Sequence, residues 1–287
     1  MEVQTGTLLI SCLDRPGIIA SVSNLLFVNG CNIVDSDQHT DRDDGHFFWR
    51  IHFASMSRSI AEMRSLLAVE LPKALSSLSL RWELFDSTQR ERIVIMVSKL
   101  PHCMSDLLTR HHLGELNGEV VGVIGNHPDL EPLVRPFQVP FVTIPVEKGR
   151  KGEAEARLLE KLAEWRCSLL VLARYMQVLS GDFLRAWGKP IINIHHSFLP
   201  AFVGAQPYRQ AYERGVKLVG ATAHYVTEEL DAGPIITQGT TAVSHRDTVK
   251  DLARKGKDVE VTVLAHAVSA HLLKRVLVHG NKTIVFQ

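Results

Sequence analysis

Residues 191–200 read IINIHHSFLP, an apolar run of the kind that makes a buried strand. It ends by placing Asn193, His195 and His196 where a core would take Val or Leu. Residues two apart in a strand share a face, so Asn193 and His195 point together while Ile192, Ile194 and His196 point the other way. An amide donor beside an imidazole suits the stabilisation of a developing oxyanion. Two hydrogen-bonded groups closing off a strand is the plainer reading, and for a lone histidine it would win. Two aligned polar residues shift the balance toward function. His196 faces away, makes a poor chelate with His195, and is expected to be structural or to support its neighbour.

A second stretch, GATAHYVTEELDAGPIITQ at 220–238, carries His224 on an apolar strand ahead of the acidic cluster Glu228, Glu229 and Asp231. Ala-Gly-Pro then makes a tight turn. Asp231 by itself reads as a turn-former. On a turn between two strands, however, a carboxylate can be held rigidly beside a neighbouring strand tip. Asn193, His195 and Asp231 together would supply an amide donor, a proton carrier and a base for attack on an acyl carbon. Partial burial is expected to raise the pKa of Asp231.

Other sets fail. Ser244, His245 and Asp247 lie too close in sequence to form a relay, and Thr248 with Asp251 is helix-capping chemistry. GELNGEVVGVIG lacks GxGxxG spacing and is weak evidence for a dinucleotide. Lys148, Arg150 and Lys151 read as a solvated helix start that could attract an acidic ligand tail. Nothing in the ligand spacing offers a metal site.

The elements that must position these residues fall into two sets. GTLLISC, IIASVSNLLFVNG, CNIVDSDQHT, HFFWRIHFA, RSIAEMRSLLAVEL and LSLRWELFD follow the order strand, helix, strand, strand, helix, strand. That is the ferredoxin-like α+β arrangement. DSTQRER is a polar linker. Beyond it, near-continuous apolar strands (RIVIMVS, EVVGVIG, FVTIPV, SLLVLA, PIINI) alternate with helices, which predicts a doubly wound, mostly parallel α/β sheet covered on both faces. KLVGATAHYVT and PIITQGTTAV are further strands, and a long helix is expected from about Thr248 to Val276. The domains are set at 1–86 and 93–287, with 87–92 as linker. Sites in such sheets form at the carboxyl ends of the strands, where Asn193 and His195 lie.

The composition bounds the partner. The chain has 287 residues, 45% of them apolar and 22% charged, and its formal net charge is +1. There is no electrostatic case for a nucleic-acid or membrane-surface partner, so a small molecule is expected. Cys12, Cys31, Cys103 and Cys167 are scattered and read as reduced thiols of a cytoplasmic protein. The opening MEVQTGTLLISCLDRPG reads as a strand entering a turn rather than a signal peptide. No segment reaches the roughly 20 apolar residues needed to span a bilayer.

INIHHSFLPAF followed by GATAHYVTEELDAGPIITQ resembles the folate-dependent formyl-transferring family, which shares an Asn-x-His strand end and a later His and Asp. The resemblance maps onto Asn193, His195, His224 and Asp231. LARYMQVLS resembles that family's folate-pocket segment, which implies that Met176, Gln177, Val178 and Leu179, with Thr227, Glu228, Glu229, Leu230 and Asp231, line a pterin site. DRPGI, HCMSDLLTRHHLGEL and the ending GNKTIVF extend the likeness over nearly the whole chain and point to the deformylase branch, with a Rossmann-like catalytic domain of formyltransferase type. The first domain then resembles an ACT module. One departure is Leu13 in CLDRPG, where that branch leads one to expect proline.

The resemblance implies 10-formyltetrahydrofolate as substrate, no cofactor, and a homo-oligomer. It also marks Asp14, Arg15, Pro16, Gly17, Ile18 and Asn32 as a candidate amino-acid effector loop; the competing reading is that these residues only make a turn and cap a helix. In the related glycinamide ribonucleotide formyltransferases a glycine- and serine-rich turn after the first strand cradles the acceptor's phosphate. Here it reads SKLPHCMSDLL, without glycine and with Leu100, His102 and Met104. Water then becomes the nucleophile, and hydrolysis to tetrahydrofolate and formate is the expected reaction. Formyl transfer to an amine acceptor, or a folate or amino-acid sensor without turnover, are the rivals.

Overall fold

The computed structural model describes residues 3–75, 79–200 and 207–287. Leu78, where the sequence begins a strand, and Ala201 and Phe202 of the INIHHSFLPAF motif lie outside those residues. The chain divides into two compact units: Met1–Arg90 with Lys274–His279 and Ile284–Gln287, and Glu91–Leu273 with Gly280–Thr283. The sequence boundary assigns the whole tail to the second domain, whereas the structure counts most of it with the first. Side-chain contacts account for this. His279 hydrogen-bonds Asp44 and stacks on His46 at 4.6 Å, and Lys274 lies 4.4 Å over the Phe85 ring.

The first unit has the order expected from the sequence: β1 (Gln4–Leu13), α1 (Ile18–Val28), β2 (Cys31–Asp41), β3 (His46–Ser55), α2 (Ile60–Ala74) and β4 (Arg81–Asp86). The strands form an antiparallel sheet ordered β2-β3-β1-β4. Period-two residues Leu8, Ile10 and Cys12, with Trp49, Ile51 and Phe53, turn one face toward the helices. Ile18, Val22 and Leu26 from α1 and Met63, Leu67 and Leu71 from α2, at helical spacing, close that core. Each fully buried side chain of this kind contributes roughly 1.5–3 kcal/mol. Ser59 and Glu62 form a capping box that fixes the start of α2.

The second unit runs β5 (Glu91–Val97), α3 (His102–His112), β6 (Gly118–Gly125), α4 (Glu131–Val134), β7 (Phe141–Thr143), α5 (Lys151–Glu164), β8 (Leu169–Leu172), α6 (Gly181–Trp187), β9 (Ile191–His195), α7 (Pro207–Glu213), β10 (Leu218–Tyr225), β11 (Ile235–Ala242) and α8 (Val249–Leu272). Its sheet is ordered β11-β10-β9-β8-β5-β6-β7. Strands β5 to β9 pair in parallel, whereas β10 is antiparallel to both β9 and β11. The chain builds outward from β5 through β6 to β7, then returns to β8 on the other side, so the strand order reverses between β5 and β8. Ligand crevices open at such a reversal. Thr248 and Asp251 form the capping box that opens α8, and Asp247 accepts from the Ser244 amide at 2.7 Å in the turn before it.

Candidate active site

Two local features place the polar groups. β9 and β10 run antiparallel with Asn193 opposite His224 and His195 opposite Thr222, so the tips of two strands present an amide and two imidazoles side by side. The turn after β10 then carries Asp231 back over them. Asp231 is left-handed, with φ 54°, a conformation that Asp tolerates better than most residues. Gly233 follows where a Cβ would meet the Tyr225 carbonyl oxygen at 1.9 Å, so only glycine lets the turn close against its own strand.

The resulting geometry is tight. Asp231 Oδ2 lies 3.1 Å from His195 Nδ1, and Oδ1 lies 3.6 Å from His224 Nε2. Since a carboxylate only accepts, Nδ1 of His195 carries the proton. His195 Nε2 is buried, with no hydrogen-bond partner among the described residues. His224 Nδ1 donates to the Tyr225 carbonyl at 2.9 Å, and its Nε2, which faces Asp231, also lies 3.2 Å from the Asn193 side-chain nitrogen. The Asn193 amide keeps an N–H free to donate to another group.

The electrostatics reverse one expectation. Asp231 is partly buried, which by itself would raise its pKa. Hydrogen bonding to His195 and then to His224 outweighs that and holds the carboxyl well below its ordinary value. It is therefore ionised throughout the neutral range. His196 turns away from the Asp231 contact but stacks on His195, with ring centroids 5.2 Å apart and planes inclined by 29°. Burial, and then the Arg174 charge, lower the His196 pKa to about 4, so this ring is neutral.

A cavity of about 300 Å³ opens at these groups. Met176, Gln177, Val178 and Leu179 line one wall, and Thr227, Glu228, Glu229, Leu230 and Asp231 line the other, with Asn193, His195 and His224 also in the lining. The first wall is pinned where Met176 N–H donates to Ser98 Oγ at 2.9 Å, and where Ser180 caps α6 and hydrogen-bonds Glu155. Glu228 is tied to Arg185 on the outside. Met176, Val178 and Leu230 are exposed and form the mouth, whereas His195 and His224 are buried at the floor.

Sequence reasoning missed Arg174, Tyr175 and Val226 in the lining, and the buried group behind the floor: Glu260, His102 and Tyr208. Polar Glu260 within a helix stripe of buried Leu252, Val263 and Leu264 was the one available signal. The candidate effector residues gather elsewhere. Asp14 to Gly17 and Asn32 are exposed, and Ile18 is a core residue of the first unit.

This sheet, with an Asn, two His and an Asp at the crevice beside its reversal, is that of a formyl transferase domain. The family described as Formyl transferase matches residues 91–268, and the ACT domain matches residues 6–62. The formyltetrahydrofolate deformylase of Mycobacterium bovis is 50% identical over 98% of this chain and 90% of its own length. The crystal structure of a formyltetrahydrofolate deformylase from Pseudomonas syringae pv. tomato superposes with a TM-score of 0.94 at 44% identity, covering 100% of this chain and 96% of that one. Glycinamide ribonucleotide transformylase 1 from Symbiobacterium toebii matches at TM-score 0.65 and 32% identity, over 69% of this chain and 95% of its own. The chain belongs to the formyltetrahydrofolate deformylase family.

Proposed function

We propose that the protein hydrolyses 10-formyltetrahydrofolate to tetrahydrofolate and formate. The observation that carries this reading is the shared carboxylate of Asp231, held between His195 and His224 at the floor of a cavity whose mouth is apolar. The pterin enters between Met176–Leu179 and Thr227–Leu230, which leaves the formyl group at the floor.

Each group then has one task. Ionised Asp231 accepts a hydrogen bond from the attacking water and draws off its proton as oxygen bonds the formyl carbon. The free amide hydrogen of Asn193 and protonated His195 stabilise the oxyanion. The Nδ1 proton of His195 passes to N10 as the C–N10 bond breaks, and the proton that Asp231 drew from water then crosses the 3.1 Å contact to Nδ1, which restores both groups. His224 holds Asn193 in register and supports the carboxylate. The residues supply donor, base and acid themselves, so the reading needs no cofactor.

Formate release would balance the folate one-carbon pool and feed purine synthesis. The ACT domain suits a small-molecule effector, for which an amino acid bound at the Asp14–Ile18 loop and Asn32 is the candidate, and edge-to-edge pairing of ACT modules would make a homo-oligomer. Among the described residues no helix is long and apolar enough to cross a membrane. A cytoplasmic location fits the reduced state of four buried cysteines.

The test is turnover in ¹⁸O-labelled water with no amine added. Hydrolysis places one solvent oxygen in the formate released with each tetrahydrofolate. Tetrahydrofolate that appears only when an amine is supplied would identify formyl transfer instead.

A further inference from the structure

The cavity floor does not end at the catalytic histidines. His196 stacks on His195, and on its other side lies the Tyr208 ring, with centroids 6.3 Å apart. Tyr208 OH donates to Glu260 Oε1 at 2.7 Å, while Glu260 Oε2 faces His102 Nε2 at 2.7 Å and Arg174 Nε at 3.5 Å. Glu260 is 1% exposed and Arg174 9%. Burial pushes the Glu260 carboxyl up, but His102, Arg174 and Tyr208 outweigh it and the net shift is downward. The fold makes room for this group: a Cβ at Gly256 on α8 would meet Tyr208 OH at 2.1 Å.

Filling a cavity floor with a buried ion pair and its partners is costly compared with apolar side chains of the same volume. A cation does not explain it. His102, Cys103 and Glu260 bring three ligand-type atoms within 4.8 Å of one another, yet burial pushes the Cys103 thiol far up and the Arg174 guanidinium already neutralises Glu260. What the cluster does achieve is closure. The side of His195 turned away from Asp231 meets protein, and Nε2 is left buried without a partner among the described residues.

We infer that this cluster is a specificity plug: Tyr208 and Arg174, tied together by Glu260, and His196 packed between Tyr208 and His195, fill the side from which an amine-bearing second substrate would reach the formyl carbon, so that only water attacks. The inference rests on the hydrolytic reading above. In the intact protein the water oxygen bonds the formyl carbon, the C–N10 bond breaks, N10 takes a proton and formate leaves. With the plug opened, an amine nitrogen forms the new bond, the same C–N10 bond breaks, the amine's proton ends on N10, and an N-formyl amine leaves in place of formate.

The probe is glycinamide, with formate, N-formylglycinamide and tetrahydrofolate all quantified for the wild type, Tyr208→Ala and His196→Ala. The wild type is expected to yield formate with no N-formylglycinamide above the enzyme-free background, and the two variants to raise the ratio of N-formylglycinamide to formate about 10-fold or more over that background. Tyr208→Phe, which keeps the ring and loses only the Glu260 bond, should retain the wild-type ratio. Variants that turn over with an unchanged ratio would overturn the plug, and so would N-formylglycinamide production by the wild type. If Tyr208→Ala does not fold, His196→Ala decides alone. No tetrahydrofolate from the wild type under any condition would instead contradict the hydrolytic reading, and the plug with it.

Discussion

Two turns in this chain begin with the same dipeptide, LDRPG at 13–17 and LDAGP at 230–234, and have opposite surroundings. Asp14 lies in the open; its side chain accepts from Thr40 Oγ1 at 3.3 Å, its amide donates to the Gly45 carbonyl, and α1 begins without a side-chain cap. Asp231 lies over two strand tips, its side chain only 17% exposed, with an imidazole facing each oxygen. One carboxylate is solvated and conformational; the other is positioned and charged. What separates them is the element beneath the turn, and neither local sequence contains that element.

The comparison can be broken on either side. Beneath the second turn, Asn193→Ala should lower kcat by on the order of 10²–10³ with little change in KM, because it removes a donor used as charge develops. A larger effect on KM than on kcat would make Asn193 a substrate-binding group. At the mouth, Leu230→Asp should raise KM by roughly 10-fold while sparing kcat, since it sets a charge against an apolar ring away from the reacting atoms. Carbon-detected NMR of the Asp231 carboxyl should show no protonation step across about pH 6 to 8. The sign follows from the lowered pKa: the stability this carboxylate contributes is present above its unfolded value and is lost only as pH falls through the lower folded one. A neutral-range step would restore the raised pKa expected from burial alone. The smallest effect belongs to the first turn, where Asp14→Ala should change stability by no more than about 0.5 kcal/mol and leave unstimulated turnover unchanged.

How much was legible in the sequence follows the same division. The apolar runs of β5, β6 and β8 announce their parallel pairing, because each strand's own residues record which of its faces are buried. Asn193 and His195 were legible as a pair for the same reason. The downward pKa of Asp231 was not, because it depends on His195 and His224, which come from different strands and converge only through the β9–β10 register. The cluster of His102, Arg174, Tyr208 and Glu260 was equally hidden: its members stand on α3, α7, α8 and the segment after β8, and each looks like an ordinary polar residue where it stands. The place of the tail in the first unit was also beyond reach, since His279 and its partner Asp44 are separated by most of the chain.

The central claim is that Asp231, held as an ionised carboxylate between two histidines, drives attack by water. Single-turnover release of formate from 10-formyltetrahydrofolate, with substrate affinity measured separately, tests it most directly in Asp231→Asn. The account predicts that the chemical step falls by at least about 10³ while affinity stays within a few-fold, since the amide keeps the shape of the site and loses the base. Near-normal formate release from that variant would contradict the account.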